Sequence, residues 1–152
     1  MSVDLHFPVE DARRLVATAL LEDLGPQHRD VTTLATIPAD QLRTAEVVAR
    51  ASGVVAGLPV VAEVLTQVAA LLGEPEPQVS VLVSDGTAVR RGDVLARLTG
   101  PTQVLLIAER TLLNILSRLS GVATHTRRWA DELAGTGAMG LDTRKTTPGM
   151  RT

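Results

Sequence analysis

The sequence predicts an α/β protein, and three observations carry that expectation. Aliphatic residues recur at helical spacing before Gly25, between Leu58 and Leu72 and after Pro101. Short β-branched runs broken by Gly-Asp and Asp-Gly dipeptides lie between those segments. Apolar residues make up 45% of the 152-residue chain, enough for a core of domain size, yet the only aromatic residues are Phe7 and Trp129. The core must therefore be built from Leu, Val, Ile and Ala.

The first helix is expected from Pro8 to Leu24, with Val9, Ala12, Leu15, Val16, Ala19 and Leu20 at helical spacing. Pro8 suits a first turn and Gly25-Pro26 a stop. A polar loop follows, from Glu22-Asp23-Leu24-Gly25 through Asp30-Val31-Thr32-Thr33, with Asp30 placed to cap the residues after it. The β-branched stretch from Thr44 to Ala56 is split by Ser52-Gly53 into two short strands. Leu58 to Leu72 is apolar throughout and reads as a buried helix, after which Val79, Val81 and Val83 alternate like a half-buried strand. Asp85-Gly86 and Gly92-Asp93 then mark tight reversals in a small β-structure. From Pro101 to Leu119, Val104, Leu105, Ala108, Leu112, Ile115, Leu116 and Leu119 share one helix face. Ser120-Gly121 is expected to interrupt that helix, a second running from Val122 to Leu133. Beyond Gly135 and Gly137, Ala138 to Leu141 is a candidate strand leading directly into a charged motif. Parallel strands need crossovers of a dozen or more residues, so the chain is expected to hold one amino-terminal domain and the first piece of another.

Composition excludes several function classes. No cysteine occurs, so thiolate metal sites, disulfides and cysteine nucleophiles are out. A net charge of −2, scattered arginines and almost no aromatic platforms argue against nucleic-acid binding. The amino terminus lacks the pattern of a secretory signal, and no apolar run of membrane-spanning length occurs, so a cytoplasmic protein is expected.

Of fifteen lysine and arginine residues, all but Lys145 are arginine. That ammonium lies in Asp142-Thr143-Arg144-Lys145-Thr146-Thr147-Pro148-Gly149. Lysine is a compact point charge on a flexible stem, whereas arginine is a planar fork that grips carboxylate or phosphate through two parallel hydrogen bonds. Arg144 beside Lys145 therefore reads as a fork and a point charge aimed at an anionic ligand.

Three segments in this order resemble the quinolinate phosphoribosyltransferase family. They are Glu22-Asp23-Leu24-Gly25 with Asp30-Val31-Thr32-Thr33; Glu109-Arg110-Thr111-Leu112-Leu113-Asn114 with Leu119-Ser120-Gly121-Val122-Ala123-Thr124; and the lysine motif. The resemblance runs from Glu10 to Thr152. It implies an amino-terminal α/β sandwich, residues 1–119 with the long helix, followed by residues 120–152 as the start of an α/β barrel cut short after its first strand. It also implies transfer of phosphoribose from phosphoribosyl pyrophosphate to quinolinate with loss of CO₂, giving nicotinate mononucleotide in NAD biosynthesis. Mg²⁺ would be bound with the pyrophosphate, its ligands expected in the missing part. Arg110, Thr143, Arg144 and Lys145 are the substrate-binding residues so implied, Lys145 being the catalytic one. Arg110 would reach into the site of a second subunit of a homodimer. Read from the residues alone, Arg110 is an exposed helix arginine paired with Glu109 or Asn114. The chain by itself is expected to be inactive.

Other readings are set beside this one. A paralogue of the same fold, found beside molybdate transporters, shares a similar lysine motif, but Asp142-Thr143-Arg144 favours the biosynthetic enzyme. A non-catalytic dimerising fragment is the other alternative. Val83 to Leu98 is similar to the hammerhead of biotinyl and lipoyl carriers, yet no lysine precedes Lys145 to carry a cofactor. His6, His28 and His125 have no metal-ligand spacing. Glu22, Asp23 and Asp30 could form a paired acid–base set, but Asp30 reads better as a cap and the other two as a solvated helix end, with Trp129 a packing residue.

Overall fold

The computed structural model describes residues 7–141, 143 and 145–147. Its order is α1 (Val9–Leu24), α2 (Val31–Thr36), β1 (Leu42–Val48), β2 (Gly53–Val54), α3 (Leu58–Leu72), β3 (Gln78–Val81), β4 (Ala88–Val89), β5 (Val94–Pro101) and α4 (Thr102–Leu133). The α/β class expected from the sequence is the one observed. β5 is the centre of an antiparallel sheet in the order β1-β5-β3, and β2 pairs with β4 in a separate two-stranded ribbon. Register is fixed by pairs such as Ala45 with Leu98 and Val79 with Leu98, with an irregularity between Val47 and Val48.

α4 is the organising element, touching α1, α2, α3 and strands β1, β2 and β5. Its first half buries Val104, Leu105, Ile107, Ala108, Leu112, Ile115 and Leu116, the face read from the sequence. α3 contributes Val60, Val61, Val64, Leu65, Val68 and Ala69, and α1 adds Ala12, Val16 and Leu20. Full burial of such an aliphatic side chain contributes about 1.5–3 kcal/mol. Gly100 lets the chain before β3 cross close over β5, since a Cβ there would lie 2.9 Å from the Cα of Pro77.

Four sequence expectations need correction. Ser120-Gly121 does not break the helix, because α4 runs unbroken to Leu133. The Ser120 hydroxyl accepts the Ala56 N–H at 3.1 Å and the Thr124 hydroxyl accepts the Val54 N–H at 2.8 Å. Serine and threonine four apart share one helix face, so the segment docks β2 against α4. Gly53 permits that approach, since a Cβ there would meet Thr124 Oγ1 at 2.6 Å. Second, Val31 to Thr36 is a short helix rather than loop, with Asp30 as its cap as expected. Third, Trp129 is 62% exposed and is no core residue; its indole N–H donates to His125 Nε2 one turn back. Fourth, Ala138 to Leu141 form no ladder with any described strand, so the expected barrel strand has no partner to pair with there. Among the described residues no helix is long and apolar enough to cross a membrane.

Candidate active site

The residues singled out from the sequence fall into two separate clefts. The first, of about 620 Å³, lies between the end of α1, the start of α2 and the middle of α4. Arg110 projects into it from α4, and its Nη1 donates to Asp23 Oδ1 at 2.6 Å. The partner is therefore neither Glu109 nor Asn114, and Asp23 is not simply a solvated helix end. Its side chain is 18% exposed against 74% for Arg110. Asp30 stands on the same cleft. Its Oδ1 accepts the N–H groups of Thr32 and Thr33, both at 2.9 Å, and its Oδ2 accepts the Thr33 hydroxyl at 2.9 Å. The Thr33 backbone N–H is the chief reason that the Asp30 carboxyl titrates below its ordinary range; partial burial opposes it, and the Thr33 hydroxyl, the Thr32 N–H and the Arg110 charge assist. Arg110 is held in its charged form above its ordinary range, first by the hydrogen bond it donates to Asp23 and then by the Asp23 charge.

The second cleft, of about 590 Å³, contains the described part of the lysine motif. Thr143, Lys145, Thr146 and Thr147 lie there with Phe7, Arg118 and Leu119 among the lining residues. Arg118 Nη2 donates to Thr147 Oγ1 at 3.2 Å, which ties the segment to α4, and the Lys145 N–H donates to Thr143 Oγ1 at 3.3 Å. Arg144 lies outside the described residues. Two carboxylates line this cleft, and both have other partners. Asp11 pairs with Arg14. Asp85 accepts the Gly57 N–H at 2.7 Å and the Leu58 N–H at 3.0 Å, capping α3 where Gly57, at φ +96°, has no side chain to do so. Among the described residues no carboxylate forms an ion pair with Lys145 or Arg118.

The structure thus brings Lys145 together with Thr143 and leaves Arg110 in a different cleft. Arg118 and Asp85 were not singled out from the sequence. Asp85 sits in a turn dipeptide and Arg118 is one of many arginines, so neither carries a local signal. Among the described residues no three His, Asp or Glu side chains converge as metal ligands.

Comparison with known proteins shows the family. Residues 30–120 match the model of the family described as quinolinate phosphoribosyl transferase, N-terminal domain. A nicotinate-nucleotide pyrophosphorylase [carboxylating] of Mycobacterium leprae is 41% identical over 140 residues, which cover 92% of this chain and 48% of that protein. A chloroplastic enzyme of the same name from Oryza sativa is 39% identical, over 95% of this chain and 37% of its own length. Among solved structures, the nicotinate-nucleotide pyrophosphorylase of Francisella tularensis superposes with a TM-score of 0.84 at 31% identity, over 95% of this chain and 49% of that one. NadC from Streptococcus pyogenes gives 0.83 at 32%, over 97% and 49%. The chain spans half or less of the length of these relatives. With the match covering residues 30–120, the chain belongs to the quinolinate phosphoribosyl transferase family and carries its amino-terminal domain.

Proposed function

We propose that the full-length protein transfers phosphoribose from phosphoribosyl pyrophosphate to quinolinate and releases pyrophosphate and CO₂, forming nicotinate mononucleotide for NAD biosynthesis. The observation that carries this reading is the second cleft. It presents Lys145 and Arg118 with no paired carboxylate among the described residues, in a chain that belongs to this family. Quinolinate carries two adjacent carboxylates, and such a ligand needs dense positive charge held in a fixed geometry.

The residues act by placement. Lys145 supplies a point charge and Thr143 a hydroxyl, with Arg144 next to them in sequence as the fork. Together they hold the pyridine ring so that its nitrogen faces the anomeric carbon. The nitrogen lone pair forms the new C–N bond as the bond to pyrophosphate breaks, and pyrophosphate leaves with that electron pair. The resulting pyridinium accepts the electrons of the C–CO₂⁻ bond, so CO₂ departs and a proton takes its place. Orientation and charge are the protein's contributions to such a displacement. Mg²⁺ would neutralise the pyrophosphate, with ligands beyond the residues described.

A homodimer with shared sites is part of the proposal. Arg110 and Lys145 line different clefts of one chain. Arg118, which shares the second cleft, lies about 12 Å further along α4 than Arg110, at a rise of about 1.5 Å per residue. Arg110, whose side chain is 74% exposed, is the residue proposed to reach a second subunit's ligand. The boundary expected after residue 119 falls inside the unbroken α4, so the barrel domain is proposed to start beyond Leu133, and the 152-residue chain alone should be inactive.

The test is direct. Full-length protein given quinolinate, phosphoribosyl pyrophosphate and Mg²⁺ should release nicotinate mononucleotide and CO₂ in equal amounts, and no product would sink the proposal. The shared site is tested by mixing a full-length Arg110→Ala variant with the 152-residue chain. Heterodimers should regain activity; heterodimers that form and regain nothing would confine Arg110 to its own subunit.

A further inference from the structure

The Arg110 guanidinium is mostly in solvent, yet one of its N–H groups is fixed by a carboxylate from a different helix, 87 residues away in sequence. Exposed pairs of this kind add little to stability. The geometric consequence is larger. Arginine has five N–H donors in a planar fork. Asp23 takes one, on Nη1, and the others remain for a ligand in or beside the cleft. Asp30, whose oxygens accept from Thr32 and Thr33, lies near Arg110 but makes no ion pair with it. Glu109 is the adjacent residue on α4 and lines the cleft, but the contact is made by Asp23.

We propose that Asp23 is a positioning residue for Arg110. It clamps one terminal nitrogen so that a long, exposed side chain meets an anionic ligand with much of its rotamer freedom already removed. Half-buried Asp23 is suited to this, since its own short side chain sits at the end of α1, a helix anchored in the core by Val16 and Leu20. Under the function proposed above, on which this inference rests, the ligand is a carboxylate of quinolinate bound by a neighbouring subunit.

The experiment uses the full-length protein. Asp23→Asn keeps the shape of the side chain and removes its charge. A contact made equally in ground and transition states changes KM and leaves kcat in place. Asp23→Asn should therefore raise KM for quinolinate about 3- to 10-fold, the scale for ordering one rotamer-rich side chain, with kcat within about twofold. Asp23→Glu should recover part of the loss. In an Arg110→Ala background, Asp23→Asn should change nothing further. A KM that stays at the wild-type value, or one that rises equally with and without Arg110, would overturn the inference and leave Asp23 as a tie between α1 and α4. ¹⁵N relaxation of the Arg110 side chain reads the same clamp without turnover. It should show an ordered guanidinium in the wild type and an averaged one in Asp23→Asn; equal order in both overturns the clamp whatever the activity. A wild-type protein that does not use quinolinate would instead count against the proposed reaction, and the relaxation result would still decide the role of Asp23.

Discussion

The two clefts beside α4 differ in how their carboxylates are used. In the first, Arg110 is matched by Asp23 and lies near Asp30. In the second, Asp11 and Asp85 are present but committed, to Arg14 and to the start of α3, so Lys145 and Arg118 face the space without a paired carboxylate among the described residues. Counting charges along the sequence would not separate them. What separates them is where each carboxylate finds its donors. A cation with a carboxylate partner is oriented by it, while cations with none among the described residues leave a cleft favourable to an anion.

The largest effect should come from the unmatched cleft. In the full-length protein, Lys145→Ala should lower kcat/KM by about 10²-fold or more, the scale for removing one preorganised charged contact. Lys145→Arg should lower it by about 1–3 kcal/mol, because a fork cannot take the place of a compact ammonium. Steady-state kinetics measure both, and an unaffected Lys145→Arg would make the lone lysine peripheral.

Next comes the wall of the same cleft. Gly57→Ala forces a side chain into φ +96° and brings its Cβ to 2.5 Å from Leu119 Cδ1. The strain should cost about 1–3 kcal/mol in denaturant melts. Activity should fall with it, because Gly57 and Leu119 both line the cleft. Unchanged stability would mean that the backbone there relaxes freely.

The smallest effect belongs to the matched cleft. Asp30→Ala removes the cap of α2 and should cost about 1 kcal/mol at neutral pH. The sign of its pH dependence follows from the lowered pKa. The cap's contribution is fully present above the ordinary value of 3.8 and is lost as pH falls through the lower folded value. The stability gap between wild type and variant should therefore close only in acid below that value, and a gap closing near neutrality would contradict the cap assignment.

What was legible in the sequence was local. The aliphatic faces of α1, α3 and the first half of α4 follow from spacing, and the Asp30 cap follows from the residues after it. Lys145 was visible because it is alone of its kind. Two of the misreadings involve a partner distant along the chain. Ser120-Gly121 looks like a helix break until Ala56 is seen to bond the Ser120 hydroxyl, 64 residues away. Asp23 looks like a frayed helix end until Arg110 is seen beside it. A candidate strand at Ala138 to Leu141 has apolar content, but a strand also requires a neighbour to pair with, and none is formed with the described strands.

The central claim is that the cleft holding Lys145 belongs to a site built for two adjacent carboxylates. The measurement that tests it most directly compares kcat/KM of the full-length protein for quinolinate and for nicotinate, which lacks the second carboxylate. A site with cations placed for both groups leaves some of them unpaired when one is missing, and rejects the smaller acid strongly. Quinolinate should be preferred by at least about 10²-fold, and equal turnover of the two acids would contradict the account.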